Sequence, residues 1–304
     1  MKEIGSNPYS VTVVIPSYND NIRLEQCVEA LQQQSIGKEA FQIIAVDNGS
    51  DTPPENLQNR FANVEVLTEL KPGSYNARNK ALEVINTDYV AFTDSDCVPD
   101  KNWLKNSINY LEVNNVDAVG GLIKLFPKDE NNIQPVEILD MLYSFEFESY
   151  RAQRYCPTAN LIVRRSAFEK AGIFDGSMMS GGDREWCNRL QNNCGVLEFC
   201  EEVIVNHPAR STSSEYFTRR RRLAHGAWGK RHKSINHDLP LGFKGFISGL
   251  LPPIKRFQEI FRLECQTKTI HKIEACLILY IGKIYSQFEI LKCRFGLVKA
   301  AERR

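Results

Sequence analysis

"YVAFTDSDCVPD", residues 89–100, decides how the chain is read. Its first half is a short, continuous apolar run, the pattern of a strand buried on both faces. Its second half places Asp94, Asp96 and Asp100 within seven positions. Carboxylates this close repel one another unless something positive sits among them. A buried strand that ends in clustered acids is expected to open onto a site.

The same pattern recurs on both sides. "VTVVIP" (11–16), "FQIIAVD" (41–47) and "VEVL" (64–67) read as strands, followed by "DAVGG" (117–121), "NLIVRR" (160–165) and "EEVIVNH" (201–207). Between them, Leu24, Cys27, Val28 and Leu31 mark one helical face by i, i+3, i+4, i+7 spacing. "SYNARNKALEVI" (74–85), "NWLKNSINYLEV" (102–113) and "DREWCNRLQNNCG" (183–195) are further helices, the last stopped by Gly195. Residues 122–157 show no regular period. Strand–helix alternation predicts an α/β fold with a mostly parallel central sheet and helices on both faces. In open sheets of this kind ligands bind outside the carboxyl ends of the strands. "PSYND", "DNGSD", "DSD" and "NH" all fall at such ends, so they are expected to converge on one edge.

Charge divides the chain in two. Residues 1–207 hold 18 Lys+Arg against 30 Asp+Glu (−12), and residues 208–304 hold 20 against 7 (+13). Strand patterns stop near residue 210. This predicts a catalytic body, 1–210, and a basic, mainly helical C-terminal extension, 211–304. In the extension, Ile270, Ile273, Leu277, Tyr280, Ile284, Phe288, Leu291 and Phe295 keep helical spacing, and "GFISGLLPPIKRF" (245–257) mixes apolar and basic residues. Packing on the body and contact with an anionic membrane surface both fit. "RRRR" (219–222) has no nucleic-acid recognition fold around it, so no nucleic acid is expected as partner.

The nine cysteines show no CxxC or zinc-type spacing and are expected to be free thiols in a reducing compartment. "MKEIGSNPYS" lacks the apolar core of a signal peptide, and no run approaches the roughly 18 apolar residues of a spanning helix. A cytoplasmic protein, peripheral at the inner face of the membrane if attached at all, is expected. Oligomeric state has no signature. The absence of GxxxxGK[ST] and GxGxxG argues against a Walker-type NTPase and a dinucleotide enzyme. A DxD pair on a loop suits Mn2+ or Mg2+, hard ions commonly completed by substrate phosphates.

"VVIPSYN" (13–19), "VDNGSD" (46–51), "GSYNARN" (73–79), "TDSDC" (93–97), "TANLIVRRSAFEKAGIFD" (158–175), "SGGDREW" (180–186) and "VNHPAR" (205–210), in that order, resemble the family 2 glycosyltransferases. The resemblance covers roughly residues 10–210. It implies the GT-A fold, with a donor half at 1–100 and an acceptor half at 101–210. It implies inverting, metal-dependent transfer of a sugar from a nucleoside-diphosphate donor, UDP being the expected nucleotide, to a glycan or lipid-linked acceptor. By the same resemblance Pro16, Tyr18, Asp47, Arg78 and Asp94 face the nucleotide, Asp96 and His207 hold the ion, and Asp183 is the general base. Glu185, Trp186 and Asn160 are implied at the acceptor. Many relatives carry Glu-Asp before the base, where this chain has Gly182-Asp183, so Glu185 stands as the alternative base.

The residues admit other readings. Asp47 suits a turn cap, Asp183 an N-cap, Trp186 a core position, and Asn160 strand packing. A nucleotidyltransferase or a non-catalytic nucleotide-sugar-binding protein could use a similar fold.

Overall fold

The computed structural model describes residues 11–233 and 250–297. "MKEIGSNPYS" and the 245–249 part of "GFISGLLPPIKRF" lie outside them. The strands are β1 (Val11–Ser17), β2 (Phe41–Asp47), β3 (Val64–Thr68), β4 (Tyr89–Phe92), β5 (Val98–Pro99), β6 (Ala118–Phe126), β7 (Leu161–Arg164) and β8 (Leu197–Pro208). They form one sheet in the order β3-β2-β1-β4-β7-β6-β8-β5.

Half of this sheet follows the alternation of the sequence. β1 pairs in parallel with β2 and β4, and β2 with β3. Ser17 is level with Asp47, and Asp47 with Thr68, so the carboxyl ends line up. The other half turns antiparallel, β7 against β4 and β6, and β5 against β8. No short helical crossover follows β6. The chain leaves the sheet after Phe126 and returns only at Leu161, entering β7 in the opposite sense.

The helices are α1 (Asn21–Leu31), α2 (Asn56–Arg60), α3 (Ser74–Leu82), α4 (Trp103–Asn114), α5 (Pro135–Tyr143), α6 (Phe147–Ala152), α7 (Ala167–Ala171), α8 (Gly182–Asn192), α9 (Ser213–Lys233), α10 (Ile254–Arg262) and α11 (Thr269–Arg294). Just before α4, Asp100 Oδ1 accepts the Asn102 N–H at 2.9 Å and closes a turn ahead of the cap residue Asn102. α8 stops differently. Cys194, not Gly195, takes the left-handed backbone, at φ 61°. Gly195 is small for another reason, since a Cβ there would run into the Leu190 side chain. The aperiodic stretch 122–157 contains α5, whose start is a capping box of Gln134 and Glu137 with Pro135 at its first turn.

The chain divides into two compact units, Met1–Lys124 with Phe147–His207, and Leu125–Glu146 with Pro208–Arg304. In the first, Val14, Phe92, Leu161, Phe174, Trp186 and Leu190 share a core between sheet and helices. In the second, α5, α9, α10 and α11 bury Ile138, Leu139, Tyr216, Ile260, Ala275 and Leu279 together. Asp140 anchors this unit. It is 2% exposed and accepts the Arg210 guanidinium at 2.9 and 3.1 Å, the Arg210 N–H at 3.0 Å, and the Ser144 hydroxyl. Burial opposes its charge, but Arg210 and these hydrogen bonds outweigh that and hold its carboxyl below the usual range.

α11 has the expected spacing but buries another face. Ala275, Leu279, Gly282 and Glu289 turn inward, while Ile270, Ile273, Leu277 and Phe288 are exposed. Small residues decide this. A Cβ on Gly282 would collide with the Tyr216 ring, so its absence lets α9 approach. His225 Nε2 lies 2.9 Å from Glu289 on the same face. All nine cysteines are free thiols, and no helix among the described residues is long and apolar enough to cross a membrane.

Candidate active site

The acids that follow β4 lie at the carboxyl edge of the parallel strands, and protein cations already meet two of them. Asp94 pairs closely with Arg78, which α3 projects inward until its side chain is 2% exposed. The Arg78 guanidinium carbon is 5.8 Å from the centre of the Tyr75 ring. Asp96 lies 3.5 Å from His207 Nε2 and 3.8 Å from Arg23 Nη1. Arg23 also holds Asp20 at 2.7 Å, and the second Asp20 oxygen accepts the Ser95 hydroxyl at 2.9 Å. The Cys97 N–H donates to Asp94 O at 3.1 Å and closes the turn. Strand register explains why a residue 111 positions later arrives here. Val98 pairs with Asn206 in the antiparallel β5–β8 ladder, which sets His207 beside Cys97 and Asp96.

Asp96, Cys97 and His207 offer ligand atoms that all lie within 4.8 Å of one another. Burial, with Asp94 and Asp96 adding to it, holds the Cys97 thiol well above its ordinary pKa.

The neighbouring loops are tied to each other. Asn19 has φ 50° and exchanges hydrogen bonds with Asp51 at 2.9 and 3.1 Å, while its N–H reaches Ser50 Oγ at 2.8 Å. Asp47 is buried and accepts the N–H groups of Gly49 and Ser50 at 3.2–3.3 Å, so it does cap a turn. Asn48 donates to Glu69 O and Lys71 O and accepts the Gly73 N–H at 2.9 Å, fixing the approach to α3. Pro16 is buried at the end of β1, and Tyr18 presents its ring at 47% exposure. Ser17 Oγ, Thr93 Oγ1 and Arg78 Nε, all buried at this edge, have no hydrogen-bond partner among the described residues.

Asp183 is the second residue of α8, and its N–H donates to Tyr75 Oη at 3.2 Å. Tyr75 therefore stands between Arg78 and Asp183. Burial first, and the Asp183 charge second, push its phenol pKa upward. Glu185 pairs with Arg189 at 2.8–2.9 Å instead. Two residues expected at the acceptor lie in the interior. Asn160 is fully buried, its amide engaged by Trp103 Nε1, Leu122 O and Val203 O at 2.8–3.0 Å. Trp186 is equally buried, donates to Gly172 O at 2.8 Å, and packs against Phe168 and Phe174. Both are fixed in the scaffold by these contacts. Asp20, Arg23, Asn48, Tyr75 and Cys97 join the site without a sequence-derived role; Asp20 and Asn48 carry a signal, as members of "PSYND" and "DNGSD" at strand ends.

The family model described as "Glycosyl transferase family 2" matches residues 12–172, over half of the chain. The chain belongs to glycosyl transferase family 2. It is a glycosyltransferase, and the mixed sheet with its flanking helices is the GT-A fold. Glycosyltransferase AglE of Haloferax volcanii is 33% identical over 207 residues, 66% of this chain and 67% of that protein. The pre-mycofactocin glycosyltransferase of Mycobacterium tuberculosis is 29% identical over 224 residues, 71% of this chain and 46% of that one. The chain thus spans less than half the length of the second relative. Among solved structures, mannosyltransferase PcManGT from Pyrobaculum calidifontis, in complex with GDP-Man and Mn2+, superposes at TM-score 0.62 with 16% identity, over 94% of this chain and 87% of that one. TarS 1–349 of S. aureus with UDP gives TM-score 0.53 at 15% identity, over 94% and 92%. At such identities these two likenesses speak for the fold.

Proposed function

We propose that this family 2 glycosyltransferase moves a sugar from a nucleoside-diphosphate donor, with UDP as the expected nucleotide, to a hydroxyl of a glycan or lipid-linked acceptor, inverting the anomeric centre. The observation that carries this is the pairing of Asp96 with His207, 3.5 Å apart at the strand edge, beside Arg78 and Asp94. Two ligands of one Mn2+ or Mg2+ sit about 3 Å apart when each bond is about 2.1 Å, so this donor pair fits with a small closure. When bound, the ion would neutralise the leaving diphosphate.

The chain's own residues supply the rest. Tyr18 offers a ring face to the base. Asp47, already fixed by its turn, offers a carboxylate oxygen to a base N–H. Asp94, oriented by Arg78, faces the ribose or sugar. Asp183 takes the acceptor proton as the new C–O bond forms and the bond to the diphosphate breaks. Tyr75 fixes the backbone from which Asp183 projects.

The second unit supports attachment at the cytoplasmic membrane face. α10 and α11 expose Ile254, Phe261, Ile273, Leu277 and Phe288 in the region whose charge is +13. Flotation with anionic but not neutral vesicles is the expected result, and no flotation with either would remove this part.

The site reading is tested by thermal shift of the full chain with UDP-sugars and GDP-sugars, with and without Mn2+. A bound donor raises stability by about 2.7 kcal/mol at a hundredfold excess over Kd. Asp183→Asn should keep that shift and lose transfer by about 10²–10⁴-fold. Transfer near the wild-type rate in the variant removes Asp183 as base, and no nucleotide shift under any condition removes the donor site.

A further inference from the structure

The loop after β4 carries a thiol as well as its acids, and the proposed ion site has not used it. Cys97 is fully buried, yet its sulfur lies within 4.8 Å of a carboxylate oxygen of Asp96 and of a ring nitrogen of His207. This placement is built by the fold. The Cys97 N–H is tied to Asp94 O at 3.1 Å, and the β5–β8 register brings His207 opposite. Mn2+ and Mg2+ prefer oxygen and leave a thiol aside. One sulfur, one imidazole nitrogen and one carboxylate oxygen are instead a donor set for zinc, whose bonds of about 2.0–2.3 Å set tetrahedral ligands under 4 Å apart.

We propose that Asp96, Cys97 and His207 together form a Zn2+ site that loads without nucleotide and competes with the hard ion used for transfer. The proposal rests on Asp96 and His207 being an ion site. On binding, the Cys97 S–H bond breaks, its proton goes to solvent, and sulfur bonds the metal. Asp96 supplies an oxygen lone pair and His207 a ring-nitrogen lone pair. Three protein ligands leave one tetrahedral position open. The hard ion has two protein ligands here and needs the diphosphate to complete its shell. The order of loading should therefore differ, Zn2+ before the donor and Mn2+ with it. Cys27 is the internal control. It too is a buried thiol, 3.6 Å from Asp94 O, but it is outside the three-ligand group.

The test uses the full chain with Co2+ alone as the spectroscopic substitute for Zn2+. A near-ultraviolet sulfur-to-cobalt charge-transfer band with strong tetrahedral visible absorption is expected. Cys97→Ser and Cys97→Ala should abolish the band and Cys27→Ser should retain it. Zn2+ should displace the cobalt where equal Mn2+ does not. Outer-sphere partners alone are worth 10–100-fold in metal affinity, so losing this ligand should weaken Zn2+ by about 100-fold or more. Co2+ bound by the wild type without the band, or a band that survives in Cys97→Ala, overturns the proposal. The wild-type spectrum decides even if both Cys97 variants fail to fold. Mn2+ binding with UDP, followed by electron paramagnetic resonance, separates the two levels. Mn2+ bound with no cobalt–sulfur band removes the thiol alone, whereas neither metal bound removes the ion site beneath it.

Discussion

Arg78 and Asp94 form a lopsided ion pair, and the asymmetry has a measurable consequence. The arginine side chain is 2% exposed and the aspartate 38%. Asp94→Asn leaves a guanidinium in the interior with Nε already unpartnered and its counter-charge removed. An uncompensated buried charge costs about 3–5 kcal/mol, and the amide oxygen that remains to accept one bond places this case near 3. Arg78→Met works in the other direction. It deletes the desolvated charge, fills most of its volume, and leaves a carboxylate that water can reach. What is lost is the attraction of a half-solvated pair, at most about 1 kcal/mol. Asp94→Asn should therefore be at least about 2 kcal/mol less stable than Arg78→Met, and the double variant should lie close to Arg78→Met. Urea denaturation with equal m-values would read this directly. Under the proposed donor role, binding would suffer in all three, so stability is the discriminating measurement. If Arg78→Met unfolds as easily as Asp94→Asn, the pair is not governed by the burial of its cation.

Other expectations follow from buried polar groups. Asn160→Ala would strand Trp103 Nε1–H and the carbonyls of Leu122 and Val203; with about 1–3 kcal/mol for each buried group left unpaired, a loss of about 3 kcal/mol or more is expected. Its KM for acceptor should not change among folded molecules, and a selective KM effect would return Asn160 to the site. Arg210→Ala should cost about 3 kcal/mol through Asp140, measured by chemical denaturation. Because the folded Asp140 pKa is lowered, that contribution is complete above the unfolded value of 3.8 and is lost as pH falls through the folded one. The stability gap between wild type and Arg210→Ala should therefore narrow in acid, and a gap that stays constant down to complete protonation would refute the assignment.

The parallel half of the sheet is legible because its strands are buried on both faces and write continuous apolar runs. The polar tails of those runs mark the carboxyl edge, which is why Asp94, Asp96 and His207 could be placed together. Polar character near a motif says less about direction. Asn160 looks like a recognition residue, but its amide is spent on three partners across the sheet. Trp186 looks like a stacking platform, and the aromatic core of Phe168 and Phe174 claims it. The resemblance points Arg78 toward a nucleotide, but its burial and its pairing with Asp94 depend on how α3 packs. The helical period of α11 is equally plain, yet periodicity cannot say which stripe meets a neighbour. Ala275 and Gly282 decide that by what they lack.

Gly182 and Tyr75 constrain how this sequence can vary. A Cβ at position 182 would stand 2.7–2.9 Å from the Tyr75 ring, while the hydroxyl of that ring receives the Asp183 N–H. The Glu-Asp pair expected before the base cannot be restored by one substitution, because the tyrosine fills the space its first side chain needs. Shrinking Tyr75 alone removes the brace on α8 and leaves a void beside Arg78. Gly182→Ala is therefore expected to displace the Tyr75 ring, and its stability cost should shrink in a background where residue 75 is smaller. A variant library in this loop should therefore sample both positions at once.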